Sequence, residues 1–448
     1  MVFAVGPVAP LGAREFMIFL LQVALLLLLA LLLGELASRL KLPPIVGELC
    51  AGVLAGPSVL AQLSPGLSDW LLPRSVAQFH LLDAAGQIGV LLLVGLTGIS
   101  MDLGLARRYG FTAARVSIAG IVIPLSLGVL TGLALPESLV PDGADRSTFV
   151  LFLGVAMGVS AIPVLAKTLM DMNLLQRDIG QLTLSAVLID DIVGWLLLSV
   201  VSAMATTGVR AGEVALSFGY LGLVIVCAVV AYPLVGRALR LADASDRRAG
   251  GGSGTTIAVV TTLLLLSSAA TQAMKLEAVF GALVAGMVIG RSPALDHAKL
   301  GPLRGVVRAV FAPLFFATAG LRMDLTALGR PKVLLVGVSV LAAAVVGKFL
   351  GAYLGARLSR LGHWEAAALG AGMNARGVIE VIIAMVGLRL GVLSAEMYTI
   401  IILVAIVTSL MAPPFLRVCM ARVETTPEEL QRAERAHSVR LREADEVA

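Results

Sequence analysis

Ser185-Ala186-Val187-Leu188-Ile189-Asp190-Asp191-Ile192-Val193-Gly194-Trp195-Leu196-Leu197-Leu198 sets two adjacent carboxylates inside an apolar run that extends from about 178 to 205. A run of this length is read as a bilayer-crossing helix, since a hydrocarbon core of about 30 Å takes roughly 20 residues. Asp190 lies twelve residues into it, which at about 1.5 Å per residue is about 18 Å deep, close to the bilayer centre. A charge there costs at least about 2.5 to 3.5 kcal/mol on insertion scales, and two neighbouring carboxylates also repel. Adjacent helical positions point about 100° apart. Asp190 and Asp191 must therefore have different neighbours, one meeting a fixed cation while the other faces a cavity.

The rest of the chain agrees with a lipid setting. Of 448 residues, 58% are hydrophobic and 14% charged, and the mean hydropathy is +0.96. No water-soluble fold of this size hides that much apolar surface. The pattern predicts an all-α membrane protein of about thirteen transmembrane helices, near 17–39, 43–61, 83–103, 109–135, 147–170, 178–205, 214–240, 254–273, 277–290, 302–321, 332–357, 363–388 and 395–419. Residues 1–16 form a short leading segment and 420–448 a charged cytoplasmic tail rich in Glu and Arg. The first apolar run is too long for a secretory signal and lacks a small-residue cleavage site, so it reads as the first span.

Lys and Arg alternate unevenly between the loops. Arg39, Lys41, Arg107, Arg108, Arg177, Arg237, Arg240, Arg247 and Arg248 fall on one side, against Arg74, Arg146 and Arg210 on the other. The positive-inside rule then predicts an inner-membrane protein with its N-terminus outside and its C-terminus in the cytoplasm. The net charge of +5 points to topology and anionic headgroups, with no nucleic-acid partner. Cys50, Cys227 and Cys419 are isolated in apolar segments and read as packing residues.

Gly98-Ile99-Ser100-Met101-Asp102-Leu103 at the end of the third span is echoed by Gly320-Leu321-Arg322-Met323-Asp324-Leu325 at the end of the tenth, and Leu54-Ala55-Gly56 by Val284-Ala285-Gly286. The spacing predicts two repeats of six spans, 17–205 and 254–419, with 214–240 linking them. Seven spans separate the mates, so the copies are inverted, as in many secondary transporters with a midplane site. Two spans carry breakers at matching depth: Gly158-Val159-Ser160-Ala161-Ile162-Pro163 and Gly372-Met373-Asn374-Ala375-Arg376-Gly377. Pro removes a donor and Gly favours unwinding, and the freed backbone groups must be buried in protein or line a cavity. Ser160, Ala161, Pro163, Asn374, Arg376 and Glu380 are thus expected in a broken-helix core, with Arg376 and Glu380 paired one turn apart. Lys348, in Val346-Gly347-Lys348-Phe349, is mid-span and is the natural partner of the aspartates. Glu48 and Arg115 also lie within helices and read as structural, at a helix interface and near the cytoplasmic surface.

With these residues assembled, the chain resembles the monovalent cation:proton antiporter-2 family, which includes bacterial sodium/proton antiporters, glutathione-gated potassium efflux systems and plant cation/proton exchangers. The resemblance covers nearly the whole chain. It rests on Leu42-Pro43-Pro44-Ile45-Val46-Gly47-Glu48, Leu92-Leu93-Val94-Gly95-Leu96-Thr97-Gly98, Ser160-Ala161-Ile162-Pro163-Val164-Leu165, Ile189-Asp190-Asp191-Ile192-Val193-Gly194-Trp195 and Asn374-Ala375-Arg376-Gly377-Val378-Ile379-Glu380. It implies a homodimer with crossed broken helices in a moving core and no enzymatic chemistry or cofactor. It also implies that Asp191 binds cation and protons in turn and that Asp190 pairs with Lys348, with Ser160 as a further candidate ligand. Members with an Asp-Asp pair and this Lys tend to be electrogenic. The nucleotide-binding regulatory domain of the glutathione-gated members is not expected here. A cation channel or potassium efflux system is the alternative. An intramembrane aspartyl protease is excluded, because its two aspartates share a proton across a gap between helices.

Overall fold

The computed structural model describes residues 12–40, 42–72, 76–101, 103–141, 143–172, 174, 177–207, 211–274, 276–424 and 429. Lys41, Arg74, Asp102, Arg210, residues 1–11 and most of the charged tail, which entered the readings above, lie outside the described residues. The helices in chain order are α1 (Ala13–Arg39), α2 (Pro44–Ala55), α3 (Leu60–Leu63), α4 (Pro65–Leu71), α5 (Val76–Ser100) and α6 (Leu103–Ala134). Next come α7 (Arg146–Gly158), α8 (Ile162–Asp171), α9 (Asp178–Thr207), α10 (Ala211–Arg248), α11 (Gly254–Ala273) and α12 (Ala278–Gly290). The last are α13 (Gly301–Val306), α14 (Ala312–Leu321), α15 (Pro331–Leu358), α16 (His363–Met373), α17 (Val378–Arg389) and α18 (Ala395–Met420). No strand occurs among the described residues, as expected where lipid leaves backbone groups no partner but their own helix.

Ten helical segments are long and apolar enough to cross a bilayer, α2 with α3 (Pro44–Leu63) and the run His297–Leu321 each counting as one, and α16 with α17, bent by 44°, makes an eleventh. The chain is an all-helical, multi-pass membrane protein. Two further apolar helices, α7 and α12, have 13 residues each and are too short to cross alone. Full crossings among the described residues therefore number ten to eleven, against the thirteen apolar segments read from the sequence.

Several boundaries differ from the sequence reading for local reasons. Within the second span, Pro44–Leu63, the helix is interrupted at Gly56, whose ψ of −166° is extended, because Pro57 follows and disfavours the helical region at the residue before it. In α6 the backbone departs from helix at Gly110, where φ is +38°. The linker helix α10 continues to Arg248, beyond the expected 240. Its last turns are polar and carry an i,i+4 pair, Arg247 to Asp243 at 2.7 Å. Between α13 and α14 the helix widens into a π-helical stretch, Val307–Phe311.

The chain divides into two compact units, Met1–Leu93 with Gly301–Asp324, and Val94–Leu300 with Leu325–Ala448. In the first, α2 and α14 meet backbone to backbone. A Cβ on Gly52 would strike the Ala317 carbonyl, and one on Gly320 the Leu49 carbonyl. Small residues permit this approach, the usual basis of helix contact in membranes. The Arg322 guanidinium binds both oxygens of Asp83, and Ser58 Oγ donates to Met323 O at 2.8 Å. Glu48 is half-buried with its Cγ against Gly34 of α1.

In the second unit the same kind of contact joins α5 and α12, where Gly98 faces Leu283 O and Gly286 faces Gly95 O. Gly98 stands here as its sequence mate Gly320 does in the first unit, whereas Gly286 takes the place of Gly52 and not of its own sequence mate Gly56. The most extensive seam lies between α6 and α15. Gly347, Gly351 and Gly355 form an i,i+4,i+8 stripe, and a Cβ on any of them would come within 3.0 Å of Pro124, the Ala119 carbonyl or the Arg115 carbonyl. That closeness carries Lys348, beside Gly347, into the interior. Of the cysteines, Cys419 is buried and Cys50 half-buried, but Cys227 lies on the exposed face of α10, which corrects its reading as a packing residue.

Candidate ion-exchange site

α7 ends at Gly158, Val159 turns to an extended conformation with ψ 147°, and α8 begins at Ile162 with Pro163 second. Proline is tolerated there because the first amides of a helix lack intrahelical partners anyway. In α16 the helix ends at Met373 and α17 resumes at Val378. The two breaks lie against each other: the Ala161 N–H donates to Ala375 O at 3.0 Å, and Ser160 Oγ donates to Met373 O at 2.8 Å. Backbone groups freed by the unwinding are thereby partly satisfied inside the protein, as lipid requires.

α9 passes this crossing unbroken and presents Asp190, 0% exposed, and Asp191, 1% exposed. Lys348 is also 0% exposed. Its ammonium donates to Asp190 Oδ2 at 2.6 Å, to Gly120 O at 2.9 Å and to Gly158 O, so its three donors are used. Gly120 O is available because the residue four positions on is Pro124, which has no N–H to give it. Gly158 O is the last carbonyl of α7, where the helix dipole favours a cation.

Arg376, 0% exposed, pairs with Glu380 Oε1 at 3.0 Å as the i,i+4 spacing predicts. It does more than that. Nη1 also donates to Ala156 O at 3.1 Å, and Nη2 to Met157 O at 2.7 Å and Ala344 O at 3.1 Å. The last three carbonyls of α7 thus face the two buried cations. Ser409 Oγ of α18 donates to Arg376 O, and Asn374 Nδ2 donates to Val345 O at 3.1 Å.

Acceptors remain over. Asp190 Oδ1, Asp191 Oδ1, Asn374 Oδ1 and Glu380 Oε2 are buried and have no hydrogen-bond partner among the described residues. The N–H of Ile162, first residue of α8, lies toward the Asp191 carboxylate. Formal charge is unbalanced in the same sense: Asp190, Asp191 and Glu380 stand against Lys348 and Arg376, leaving one negative charge. Buried acceptors without donors carry a cost that a cation or a proton would relieve.

The sequence reading did not single out Gly120, Pro124, Ala344 or Ser409. Pro124 carried a usable signal, being a proline in mid-span whose fourth preceding carbonyl must find another donor. The others enter only through the tertiary crossing.

The chain spans nearly the full length of one relative and about half of another. It is 30% identical over 405 residues to the Na(+)/H(+) antiporter NhaS4 of Synechocystis sp., covering 90% of this chain and 97% of that one. It is 30% identical over 400 residues to the Cation/H(+) antiporter 17 of Arabidopsis thaliana, covering 89% of this chain and 48% of the relative. The fold is similar to that of the sodium proton antiporter MjNhaP1 from Methanocaldococcus jannaschii, with a TM-score of 0.69 at 17% identity over 91% of this chain and 99% of that one. The profile of the family described as sodium/hydrogen exchanger, transmembrane, matches residues 24–421, and the chain belongs to that family.

Proposed function

We propose that the chain exchanges a monovalent cation, sodium or potassium, for protons, with Asp191 as the ligand the two share. The observation that carries this reading is the division of labour between neighbours. Lys348 engages Asp190 at 2.6 Å, while Asp191 keeps an oxygen without a partner among the described residues. Ser160, at the break beside Asp190, is the further candidate ligand, and Asn374, Arg376 and Glu380 hold the crossing around it. A carboxylate in a desolvated site can hold a cation or a proton but not both, which couples their movements without any cofactor.

The names of the relatives, sodium/proton and cation/proton antiporters, support exchange over simple conduction. The reading includes alternating access and a homodimer in the inner membrane with its N-terminus outside. It also includes the inverted repeats 17–205 and 254–419 about the linker at 214–240. The matched glycine contacts of α2 with α14 and of α12 with α5 support the repeat.

The test is purified protein in liposomes with an imposed pH gradient, each cation being supplied with and without a membrane potential. Wild type should move protons only when sodium or potassium is present on the opposite side, and Asp191→Asn should lose that flux while remaining folded. Cation flux that ignores the proton gradient would indicate a channel. Appreciable cation-dependent proton flux in Asp191→Asn would remove Asp191 from the mechanism.

A further inference from the structure

The basic end of α10 takes no part in the exchange site. Arg237, Arg240 and Arg247 follow one another at spacings of three and seven, so they share one face of the helix. All three are exposed, and they line a cavity of about 630 Å³ together with Asp243, Ser292 and Asp296. The acidic side chains of that cavity are already engaged. Asp243 accepts from Lys299 Nζ at 2.8 Å and Arg247 Nη2 at 2.7 Å, and Asp296 Oδ1 accepts from the Ala298 N–H at 2.9 Å. Arg240 uses its Nε on Gly236 O of its own helix at 3.3 Å, and Arg237 has no acidic partner among the described residues. Arg237 and Arg240 therefore line the cavity without an ion-pair partner among the described residues.

Tyr232 lines this cavity and also a second one, of about 600 Å³, walled by Ile225, Val229, Phe280 and Val284. Ile225 and Val229 are 53% and 69% exposed, so this groove is open along its outer side. Along α10 the stretch from Ile225 to Tyr232 rises about 10 Å, and Arg240 lies about 12 Å beyond it. A basic pocket joined at a tyrosine to an apolar groove of that length has the polarity sequence of a lipid, an anionic headgroup followed by an acyl chain. Tyrosine is the side chain that favours the boundary between the two.

We propose that this face of α10 is a binding site for an anionic phospholipid. The phosphodiester is held by Arg237 and Arg240, and one acyl chain lies in the groove between α9, α10 and α12. Basic pockets between membrane helices suit such headgroups, and each nearby Arg strengthens the attraction.

The proposal is tested on the purified full chain in detergent by following its melting midpoint and its lipid adducts in native mass spectrometry. The probes are dioleoyl phosphatidylglycerol, dioleoyl phosphatidylcholine and tail-less glycerol 1-phosphate. Phosphatidylglycerol should bind and raise the midpoint, while phosphatidylcholine and glycerol phosphate should not. The double variant Arg237→Gln/Arg240→Gln should bind phosphatidylglycerol roughly thirtyfold more weakly, and Ala228→Phe, which fills the groove, should also weaken it. Arg304→Gln/Arg308→Gln removes the same charge from residues that line neither cavity and should bind as wild type does. The readout is the lipid-dependent increment, so lower basal stability of a variant does not confound it, and Arg237→Gln alone replaces the double variant should that fail to fold. Equal binding by the double variant, equal weakening in the control, or equal response to phosphatidylcholine would overturn the site. A full response to glycerol phosphate alone, or an unaffected Ala228→Phe, would overturn the lipid as its occupant.

Discussion

Lys348 Nζ lies 2.6 Å from Asp190 Oδ2, and both side chains are wholly buried. Neither charge is tolerable in such surroundings without the other, so the pair is a structural necessity before it is a functional one. The α6–α15 glycine seam brings the ammonium in, and the Gly120 and Gly158 carbonyls take the donors that Asp190 leaves.

Removing one member of a buried pair typically costs about 3 to 5 kcal/mol. Lys348→Ala should therefore melt well below the parent, because Asp190 would be left buried with an unanswered charge. Adding Asp190→Asn should recover part of that loss. Thermal melting of the two single variants and the double variant checks both statements, and a Lys348→Ala protein as stable as the parent would contradict the first.

Arg376 tests geometry and not charge. Its planar fork reaches Glu380, Ala156, Met157 and Ala344 together, which one ammonium on a flexible stem cannot reproduce. Arg376→Lys keeps the charge but strands several buried carbonyls, and charge-assisted hydrogen bonds contribute about 1.5 to 3 kcal/mol each. A loss of at least about 2 kcal/mol is expected in denaturant unfolding.

Much of this site was legible in the sequence because charge inside an apolar run is anomalous wherever it occurs. Asp190, Asp191, Lys348, Arg376 and Glu380 needed no fold to be noticed, and the breakers around Ser160 and Asn374 marked where helices give way. What periodicity could not supply was reach. Arg376 reads as closed on Glu380 by its i,i+4 spacing, yet its other contacts run to α7 and α15, more than two hundred and about thirty positions away. A helix end was misjudged where polar turns extend a span, as in α10, and an interruption was missed where proline breaks one, as after Gly56. The thirteen apolar segments read from the sequence outnumber the ten to eleven full crossings among the described residues because composition does not distinguish a whole span from the short helices α7 and α12.

The N-terminus of α7 offers a pH effect of known sign. Asp145 caps it, accepting the Thr148 N–H at 2.8 Å. The Ser147 hydroxyl, then Thr148, holds its carboxyl below the usual carboxylate range. A group depressed on folding contributes stability that is complete above its unfolded value, about 3.9, and is lost as pH falls through the folded value. Asp145→Ala should thus cost about 1 kcal/mol at pH 7, and the gap between variant and parent should narrow below about pH 4. A gap that stays constant down to pH 3 would show that the cap does not depend on the ionised form.

The shared-ligand mechanism makes a kinetic demand on Asp191. A cation binds only the ionised carboxylate, so protons act as competitors at the same atom. The apparent Michaelis constant for sodium or potassium should rise about tenfold per pH unit on the acid side of the site's titration and level off on the alkaline side. The maximal rate does not carry that dependence, since competition is expressed at subsaturating cation and is overcome at saturation. The measurement is initial exchange in liposomes at clamped potential, across pH and cation concentration, for wild type and for Ser160→Ala. Ser160 lies at the break beside Asp190, so its loss should raise the Michaelis constant at every pH while leaving the slope unchanged. A wild-type Michaelis constant that stays flat while only the maximal rate follows pH would place the protons at another group and end the case for a single carboxylate serving both ions.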